Sequence, residues 1–172
     1  RTPKNYREAM ASDEHEHWQA SIDKELDGIA RHEVFQIIKR SEVPRGRRLI
    51  KGKFVFKCKC AEDGKLSIFK ARLVALGCLQ IAGLDYDQTF APTARATSIR
   101  ILLSVAAMYD LELFQYDVCH AFLGAPLKED IFMEVPEGVP GIPEGHVIKL
   151  GKSIYGLKQS AAQFWYEIDS HL

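Results

Sequence analysis

The chain has 172 residues, of which 47% are hydrophobic and 27% are charged, and its formal net charge is zero. This composition is typical of a globular domain with a buried core and excludes a disordered chain. No apolar run approaches the roughly 20 residues that a membrane span needs, and no signal-peptide pattern opens the sequence. We therefore expect a soluble, intracellular protein without a membrane partner. Because the chain starts at Arg1 and stops within a predicted helix, we interpret it as a piece of a longer protein.

Basic residues are concentrated in one part of the chain although the net charge is zero. Residues 45–80 contain ten lysines and arginines but only two acidic residues, whereas acidic residues outnumber basic ones on either side. A positive block beside an acidic block is typical of a protein that holds polyphosphate with one part and cations with the other. A solvated, lysine-rich hairpin explains the pattern equally well, so charge alone leaves both interpretations open.

The first predicted element is a helix over residues 12–30, with Ser12 as its N-cap. Apolar residues recur along it at helical spacing, which predicts one face packed on a core. The residues of this face are Trp18, Ile22, Leu26 and Ile29. A core position is favoured for Trp18 over a base-stacking role. A strand over 34–38 and a loop over 41–48 are predicted to follow.

The clearest hairpin pairs a strand over 54–60 with a strand over 66–76 across a turn at 62–65. Apolar and basic residues alternate along its first strand, which predicts two faces of different character. One face carries Phe54, Phe56, Cys58 and Cys60, and the other carries Val55, Lys57 and Lys59. The four cysteines of the chain match no zinc-binding spacing. They are interpreted as ordinary strand and core residues, with a metal or redox role as the weaker alternative.

The second half of the chain alternates predicted helices and short strands. A turn-rich connector over 77–92 leads to a helix that Thr97 or Ser98 caps and that ends near residue 109. The elements predicted after it are a buried strand over 113–118, a turn or helix over 121–127, a strand over 131–135, a loop over 136–145, a strand over 147–150 and a helix from Ser160. This mixture of helices and antiparallel hairpins predicts the α+β class.

Asp117 is the residue that first indicates chemistry, because it ends the predicted strand over 113–118. A carboxylate at a strand terminus is rigidly aimed, which suits a divalent cation that holds triphosphate oxygens. A single Asp more often has a turn or capping role, so Asp117 alone supports a metal site only weakly. Turn and loop roles are also the favoured interpretation of Asp85 and Asp87.

The residues around Asp117 resemble a known family. Residues 115–123 read Gln-Tyr-Asp-Val-Cys-His-Ala-Phe-Leu, which is similar to the first catalytic motif of copia-type retrotransposon reverse transcriptases. Four further segments resemble other blocks of that family, in the same order and at similar spacing: 70–77, 80–92, 97–100 and 152–159. The resemblance implies a right-hand polymerase fold, with a basic fingers hairpin and antiparallel palm strands flanked by helices.

For the first motif, the resemblance implies that Asp117 and the backbone carbonyl of Val118 bind Mg²⁺ and the nucleotide triphosphate, with Asp117 as the catalytic group. Phe122 would act as a steric gate that crowds a ribose 2′-OH and favours deoxynucleotides. A plain core role for Phe122 is the alternative. His120 is interpreted as a residue that lines the site, because phosphoryl transfer depends chiefly on metals and positioning.

For the fingers hairpin, the resemblance implies that Arg72 and Lys70 grip the incoming triphosphate. Arginine can do so bidentately, whereas lysine acts as a point charge. A solvated strand position is the alternative for both residues. The second motif would bring Gly156 and Gln159 close to the nucleotide, since glycine lets main chain approach closely. The strand residues that would contact nucleic acid are Lys57 and Lys59.

The sequence also departs from the family pattern. Gly124 and Ala125 stand where the family usually has Asn-Gly, and Ala161 stands where Pro-Arg usually begins. No Asp-Asp pair occurs anywhere in the chain. Two metals about 3.5–4 Å apart need more carboxylate than Asp117 offers. We therefore expect this chain alone to be inactive as a polymerase.

The resemblance places mainly fingers at about 1–95, the start of the palm at about 96–135 and a return to fingers and palm at about 136–172. In the complete enzyme, a primer 3′-OH would attack the α-phosphate of a deoxynucleotide in line. The implied partners are an RNA/DNA template-primer, deoxynucleoside triphosphates and the rest of the polyprotein, with its thumb and ribonuclease H. The implied location is cytoplasmic virus-like particles or the nucleus, without secretion. The alternatives are a non-catalytic nucleic-acid-binding relic or domesticated fragment, and the product of a non-functional copy.

Overall fold

A computed structural model of the chain describes residues 1–60 and 66–171, with the backbone alone described at 59, 60, 66 and 67. The predicted turn at 62–65 and the side chain of Lys59 therefore lie outside the described residues. The helices are α1 (Tyr6–Met10), α2 (His15–Arg31), α3 (Ala96–Met108), α4 (Ala121–Gly124) and α5 (Ser160–Asp169). The strands are β1 (Phe35–Lys39), β2 (Leu49–Ile50), β3 (Gly52–Cys60), β4 (Leu66–Ala75), β5 (Pro126–Met133) and β6 (His146–Lys152).

The larger sheet has four strands in the order β1-β6-β5-β2. β6 pairs antiparallel with β1 and with β5, while the short β2 runs parallel to β5. Apolar residues of β5 and β6 such as Ile131 and Ile148 are buried, so this sheet supplies one side of the core. Separate helices and mainly antiparallel pairing confirm the predicted α+β class at this level. No helix in the described part of the chain is long and apolar enough to cross a membrane.

Helix α2 presents the predicted apolar face to the core. Trp18, Ile22 and Ile29 are buried, and Leu26 packs against them. The Trp18 ring makes edge contacts with the rings of Phe56 and Phe69, at centroid distances of 5.2 and 4.7 Å. The predicted core position of Trp18 is therefore confirmed, and α2 is the helix that covers the hairpin formed by β3 and β4.

The predicted N-caps of two helices are wrong. Helix α2 begins at His15 after Glu14, and the Ser12 hydroxyl instead donates to the carbonyl of Ala9 at 2.8 Å. A separate short helix, α1, precedes it, and the Asn5 side chain caps that helix by accepting from the Glu8 N–H. The N-cap of α3 is Arg95, whose side chain makes no capping hydrogen bond. Thr97 and Ser98 therefore both lie inside α3.

The hairpin of β3 and β4 follows the predicted alternation. Phe54 pairs with Leu73 and Phe56 pairs with Ala71, and all four side chains are buried. Val55 and Lys57, on the opposite face, are exposed. Because side chains alternate between the two sides of a strand, burial of one face against α2 leaves the basic residues on the other.

The strand predicted over 113–118 is wrong. Residues 111–118 form no strand, and their apolar side chains are exposed, with Tyr116 87% and Phe114 74% accessible. A strand needs a neighbouring backbone for its hydrogen bonds, and the described sheets provide none beside this segment. Helix α3 forms as predicted but buries only Ala106. Its other apolar side chains lie exposed on several sides, a pattern typical of a helix that a larger core surrounds.

A buried carboxylate interrupts the apolar face of α2. Glu25 is 7% exposed, and its Oε1 accepts a hydrogen bond from the backbone N–H of Leu73 in β4 at 3.1 Å. Burial raises the pKa of the Glu25 carboxyl, while the Leu73 hydrogen bond and the nearby Arg72 charge act in the opposite direction. Glu25 therefore satisfies the Leu73 N–H, which lies at the outer edge of β4 and would otherwise lack a hydrogen-bond partner.

This raised pKa makes the stability depend on pH in a defined direction. The folded state holds the Glu25 proton to higher pH than the unfolded state, so the stabilisation is complete below the ordinary glutamate pKa of about 4.3 and is lost as the pH rises through the raised value. We expect the unfolding free energy of the wild type, relative to Glu25→Gln, to decrease from about pH 4 upward. Urea unfolding of both proteins across this range measures the difference. A difference that stays constant or increases with pH would contradict the expectation.

Candidate functional site

The hairpin carries a positively charged surface on the face turned away from α2. The register places Lys57 opposite Lys70, Val55 opposite Arg72 and Lys53 opposite Val74. Directly opposed residues share one face of an antiparallel pair, so these four cations lie on a single surface, here called the basic face. Lys53 and Lys57 are exposed, while Lys70 and Arg72 are half-buried. The sequence predicted Lys57 on this face, and the register shows that Lys70 and Arg72 of β4 share it.

An aromatic cluster lies beside Arg72 of the basic face. The Arg72 guanidinium lies over the Tyr155 ring, 4.8 Å from its centroid. The Tyr155 ring packs edge-on against Phe122 at 5.2 Å, and Phe122 packs edge-on against Phe164 at 6.0 Å. The fold thus brings together Arg72 and Phe122, which are distant in sequence, through Tyr155. We call Arg72, Tyr155, Phe122 and Phe164 the gate cluster.

Tyr155 was not among the residues predicted from the sequence. It lies next to Gly156 in the segment 152–159, which was singled out, and this adjacency was the available signal. No local pattern distinguishes a tyrosine that contacts both Arg72 and Phe122 from one in a loop. The role of Tyr155 depends on how its segment joins β4.

The backbone of residues 155 and 156 lies directly against β4. The Ala75 N–H donates to the Tyr155 carbonyl at 2.8 Å, and Val74 forms a bridge with Tyr155. Gly156 has φ +90°, and a Cβ added there would lie 2.2 Å from the Ala75 carbonyl oxygen. Gly77 leaves similar space for the Gly156 carbonyl. The predicted close approach at Gly156 is therefore an approach to β4, while its contact with nucleotide stays a prediction.

Gln159 belongs to a buried polar network. It is 0% exposed, and its amide donates to the Asp85 carbonyl at 2.7 Å and to Glu129 Oε2 at 3.2 Å. Its Oε1 accepts from the Gln80 amide at 3.0 Å. Protein groups thus occupy its donors and its acceptor, which favours a structural role. Nucleotide binding by Gln159 stays a prediction that this geometry does not support.

The Asp85 carboxylate lies in the turn that it was predicted to stabilise. Its Oδ2 accepts from the Ile81 N–H at 2.8 Å, and the Arg47 side chain lies 4.0 Å from its Oδ1. The side chain is buried. This side chain therefore fixes the connector between β4 and α3, which borders the Gln159 network.

Asp117 and Val118 lie on the exposed segment before α4. His120, the N-cap of α4, has φ 55° and ψ 35°, so the chain turns sharply between this segment and Phe122. In the described part of the chain, no group of three or more His, Cys, Asp or Glu side chains is placed to hold a metal ion. One carboxylate and one carbonyl do not fit a two-metal site. The assignment of Mg²⁺ to Asp117 and Val118 stays a prediction.

The cysteines differ from the prediction at two positions. Cys58 is half-buried, next to the hairpin core, whereas Cys78 and Cys119 are exposed. The prediction that the cysteines are strand and core residues is therefore wrong for Cys78, which lies in a short 3-10 helix at Gly77–Leu79, and for Cys119, which lies in the turn before α4. The side chain of Cys60 lies outside the described residues.

Comparison with known proteins identifies the family. The family model described as reverse transcriptase (RNA-dependent DNA polymerase) matches residues 32–172. The retrovirus-related Pol polyprotein from transposon TNT 1-94 of Nicotiana tabacum is 39% identical over 173 residues, which cover 100% of this chain and 13% of that protein. The corresponding polyprotein from transposon RE1 of Arabidopsis thaliana is 34% identical over 167 residues, 96% of this chain and 11% of its own length.

The two polyprotein matches extend over almost the whole chain but over only a small share of each polyprotein. An uncharacterized mitochondrial protein of Arabidopsis thaliana is also 33% identical over 94 residues, 55% of this chain and 54% of that protein. No solved structure matches the chain. The predicted relationship is confirmed by the family model and by both polyproteins. The chain belongs to the reverse transcriptase (RNA-dependent DNA polymerase) family and is similar to one segment of retrotransposon Pol polyproteins.

Proposed function

We propose that this chain supplies the triphosphate-gripping and sugar-selecting part of an RNA-directed DNA polymerase from a copia-type retrotransposon. The single observation that carries the proposal is the gate cluster, in which the Arg72 guanidinium, the Tyr155 ring and the Phe122 ring are in continuous contact. A cation and an aromatic side chain held in a common position can act on the two ends of one nucleotide. In this proposal, these residues belong to the fingers and the start of the palm.

Arg72 is the proposed phosphate ligand. Its guanidinium can donate two parallel hydrogen bonds to phosphate oxygens while its planar face stays on the Tyr155 ring. Lys70, two residues earlier on the same face, adds a positive charge without fixed geometry. Half-burial strengthens both attractions because water screens them less than it would on an open surface.

Phe122 is the proposed sugar-selecting residue. Edge contacts with Tyr155 on one side and Phe164 on another hold its ring in place. A fixed ring can exclude a ribose 2′-OH by overlap, whereas a mobile ring would move aside. The proposal therefore gives Tyr155 two roles, which are to support Arg72 and to keep the Phe122 ring fixed.

We also propose that the chain does not polymerise on its own. Asp117 and the Val118 carbonyl would face Mg²⁺, but a single carboxylate does not hold two metals, so no catalytic step is assigned to these residues. The remaining polymerase parts, a template-primer and deoxynucleotides are the proposed partners. Cytoplasmic virus-like particles, or the nucleus, are the proposed location.

The proposal is tested by deoxynucleotide binding to the purified chain. Arg72→Ala should weaken binding of dTTP roughly 10- to 100-fold, since hydrogen bonds to charged groups contribute about 1.5–3 kcal/mol. Arg72→Lys should lose less, and Arg40→Ala, which removes an exposed arginine beyond β1, is the matched control. Equilibrium titration measures the affinities, and primer extension with Mg²⁺ should be absent from all four proteins. Equal dTTP affinity in the wild type and Arg72→Ala, or primer extension by the wild type, would refute the proposal.

The second candidate function is nucleic-acid holding without catalysis. It is favoured by one observation, the exposed Lys53 and Lys57 on the basic face. The same preparation distinguishes the two functions when it is titrated with an RNA–DNA hybrid at low and moderate salt. Hybrid binding that weakens with salt, together with no dTTP binding, would favour this candidate, because released counterions make phosphate contacts depend on salt.

A further inference from the structure

The exposed segment that carries Asp117 joins the rest of the molecule at His120. Residues 111–119 are all exposed, and His120 is the first half-buried residue after them. Its carbonyl accepts from the Leu123 N–H at 2.8 Å, so His120 begins the helix that carries Phe122. The backbone conformation of His120 therefore sets the orientation of the Asp117 segment relative to Phe122.

The backbone conformation of His120 is uncommon for a residue with a side chain. Its φ of 55° lies in the left-handed region, which only a few per cent of residues other than glycine adopt, although Asn, Asp and His do so more often than the rest. Such a conformation persists only where the surroundings hold it. The contacts of the His120 ring supply that restraint.

The ring of His120 packs against α2 at Gly28. A Cβ added at Gly28 would lie 2.9 Å from His120 Cε1 and 3.4 Å from each ring nitrogen. The His32 ring lies beside it, with the ring centroids 5.9 Å apart. Glycine inside a helix is unfavourable, because it increases the conformational entropy lost on folding. A glycine that is unfavourable within α2 and a residue with left-handed backbone thus meet in one contact.

We propose that His120 is a positioning residue, which fixes the turn between the Asp117 segment and Phe122 through the contact of its ring with Gly28. The importance of this turn for sugar selection by Phe122 rests on the proposed function, but the contact of His120 with Gly28 and its effect on the position of Phe122 do not. A cleft of about 320 Å³ beside this turn, lined by Val118, His120 and Phe164 among others, leaves room for the turn to move when the contact is lost.

The test is a double-mutant cycle of Gly28→Ala and His120→Asn in the whole chain. Gly28→Ala adds a methyl group against the ring, whereas His120→Asn keeps a residue that tolerates the left-handed backbone and removes the ring. NMR records the ring-current-shifted Phe122 signals, and hydrogen exchange records the Leu123 amide. Asp27→Ala, an exposed change one residue earlier in α2, is the matched control.

Gly28→Ala should shift the Phe122 signals and speed Leu123 exchange at least about tenfold, while amides of β6 exchange as in the wild type. In the His120→Asn background, Gly28→Ala should have little further effect, because residues in contact are coupled. Equal effects in both backgrounds, or none on Phe122, would overturn the proposal. His120→Asn removes the ring and adds no atoms to the interior. If Gly28→Ala does not fold, His120→Asn alone tests the proposal: it should shift the Phe122 signals and speed Leu123 exchange, and unchanged Phe122 signals would overturn the proposal. This test uses no nucleotide, so its result would stand even if the chain did not bind dTTP.

Discussion

Replacing Gly156 by alanine is expected to destabilise the chain by about 2–5 kcal/mol. A residue with a Cβ at φ +90° is strained by roughly 1–2 kcal/mol. The new methyl carbon would also lie 2.2 Å from the Ala75 carbonyl oxygen. This oxygen belongs to β4 and cannot move without breaking the contact between residues 155–156 and the hairpin, which adds about 1–3 kcal/mol. Urea unfolding measures the change.

Gly46→Ala is the matched control for this variant. Gly46 has φ +89°, almost the same backbone conformation, but a Cβ there would meet nothing within 4 Å. We expect it to cost only the backbone strain of about 1–2 kcal/mol. The difference between the two variants isolates the close approach to β4. If both variants are destabilised equally, the approach of Gly156 to the Ala75 carbonyl does not constrain the fold.

Replacing Trp18 by alanine is expected to cost about 3–5 kcal/mol, the range for removal of a large aromatic side chain from a core. Trp18 is 1% exposed and contacts Phe56 and Phe69 edge-on. Its removal would leave a cavity between α2 and the hairpin. Thermal or urea unfolding gives the free energy, and a loss of less than about 1 kcal/mol would contradict the core role.

Trp18→Phe separates packing from polarity at this position. The buried indole N–H of Trp18 has no hydrogen-bond partner among the described residues. Phenylalanine keeps one ring in the core and removes that unsatisfied group, so the loss of volume is partly offset. We expect a cost below about 2 kcal/mol. Trp165→Ala, at a half-buried position on α5, should also cost less than Trp18→Ala.

The elements predicted well are those in which the local pattern coincides with the burial that occurs. The i, i+4 spacing of Trp18 and Ile22 placed both in the core, because α2 packs against other elements along this single face. The alternation of Phe54 and Lys57 predicted the two faces of the hairpin for the same reason. In both cases the side-chain period of one element was sufficient.

The failures concern features that depend on a second element. Apolar residues at 113–118 predicted a buried strand, yet burial requires a neighbouring surface and pairing requires a neighbouring strand. Neither lies beside the segment in the part of the chain that the structure describes. For the site, motif resemblance singled out Arg72 and Phe122 separately. Their connection through Tyr155 depends on how segment 152–159 crosses β4. The spacing of residues in the sequence does not predict this crossing.

The pairing of β1 with β6 has a consequence for synthesis of the chain. Phe35 is paired with Leu150, so β1 cannot pair with β6 until residues more than 110 positions further along the chain have left the ribosome. The β3–β4 hairpin needs only residues close in sequence and can close much earlier, because short loops cost less entropy to form. Within this segment, α2 and the hairpin are therefore expected to assemble before the four-stranded sheet, which forms only after β6 has emerged.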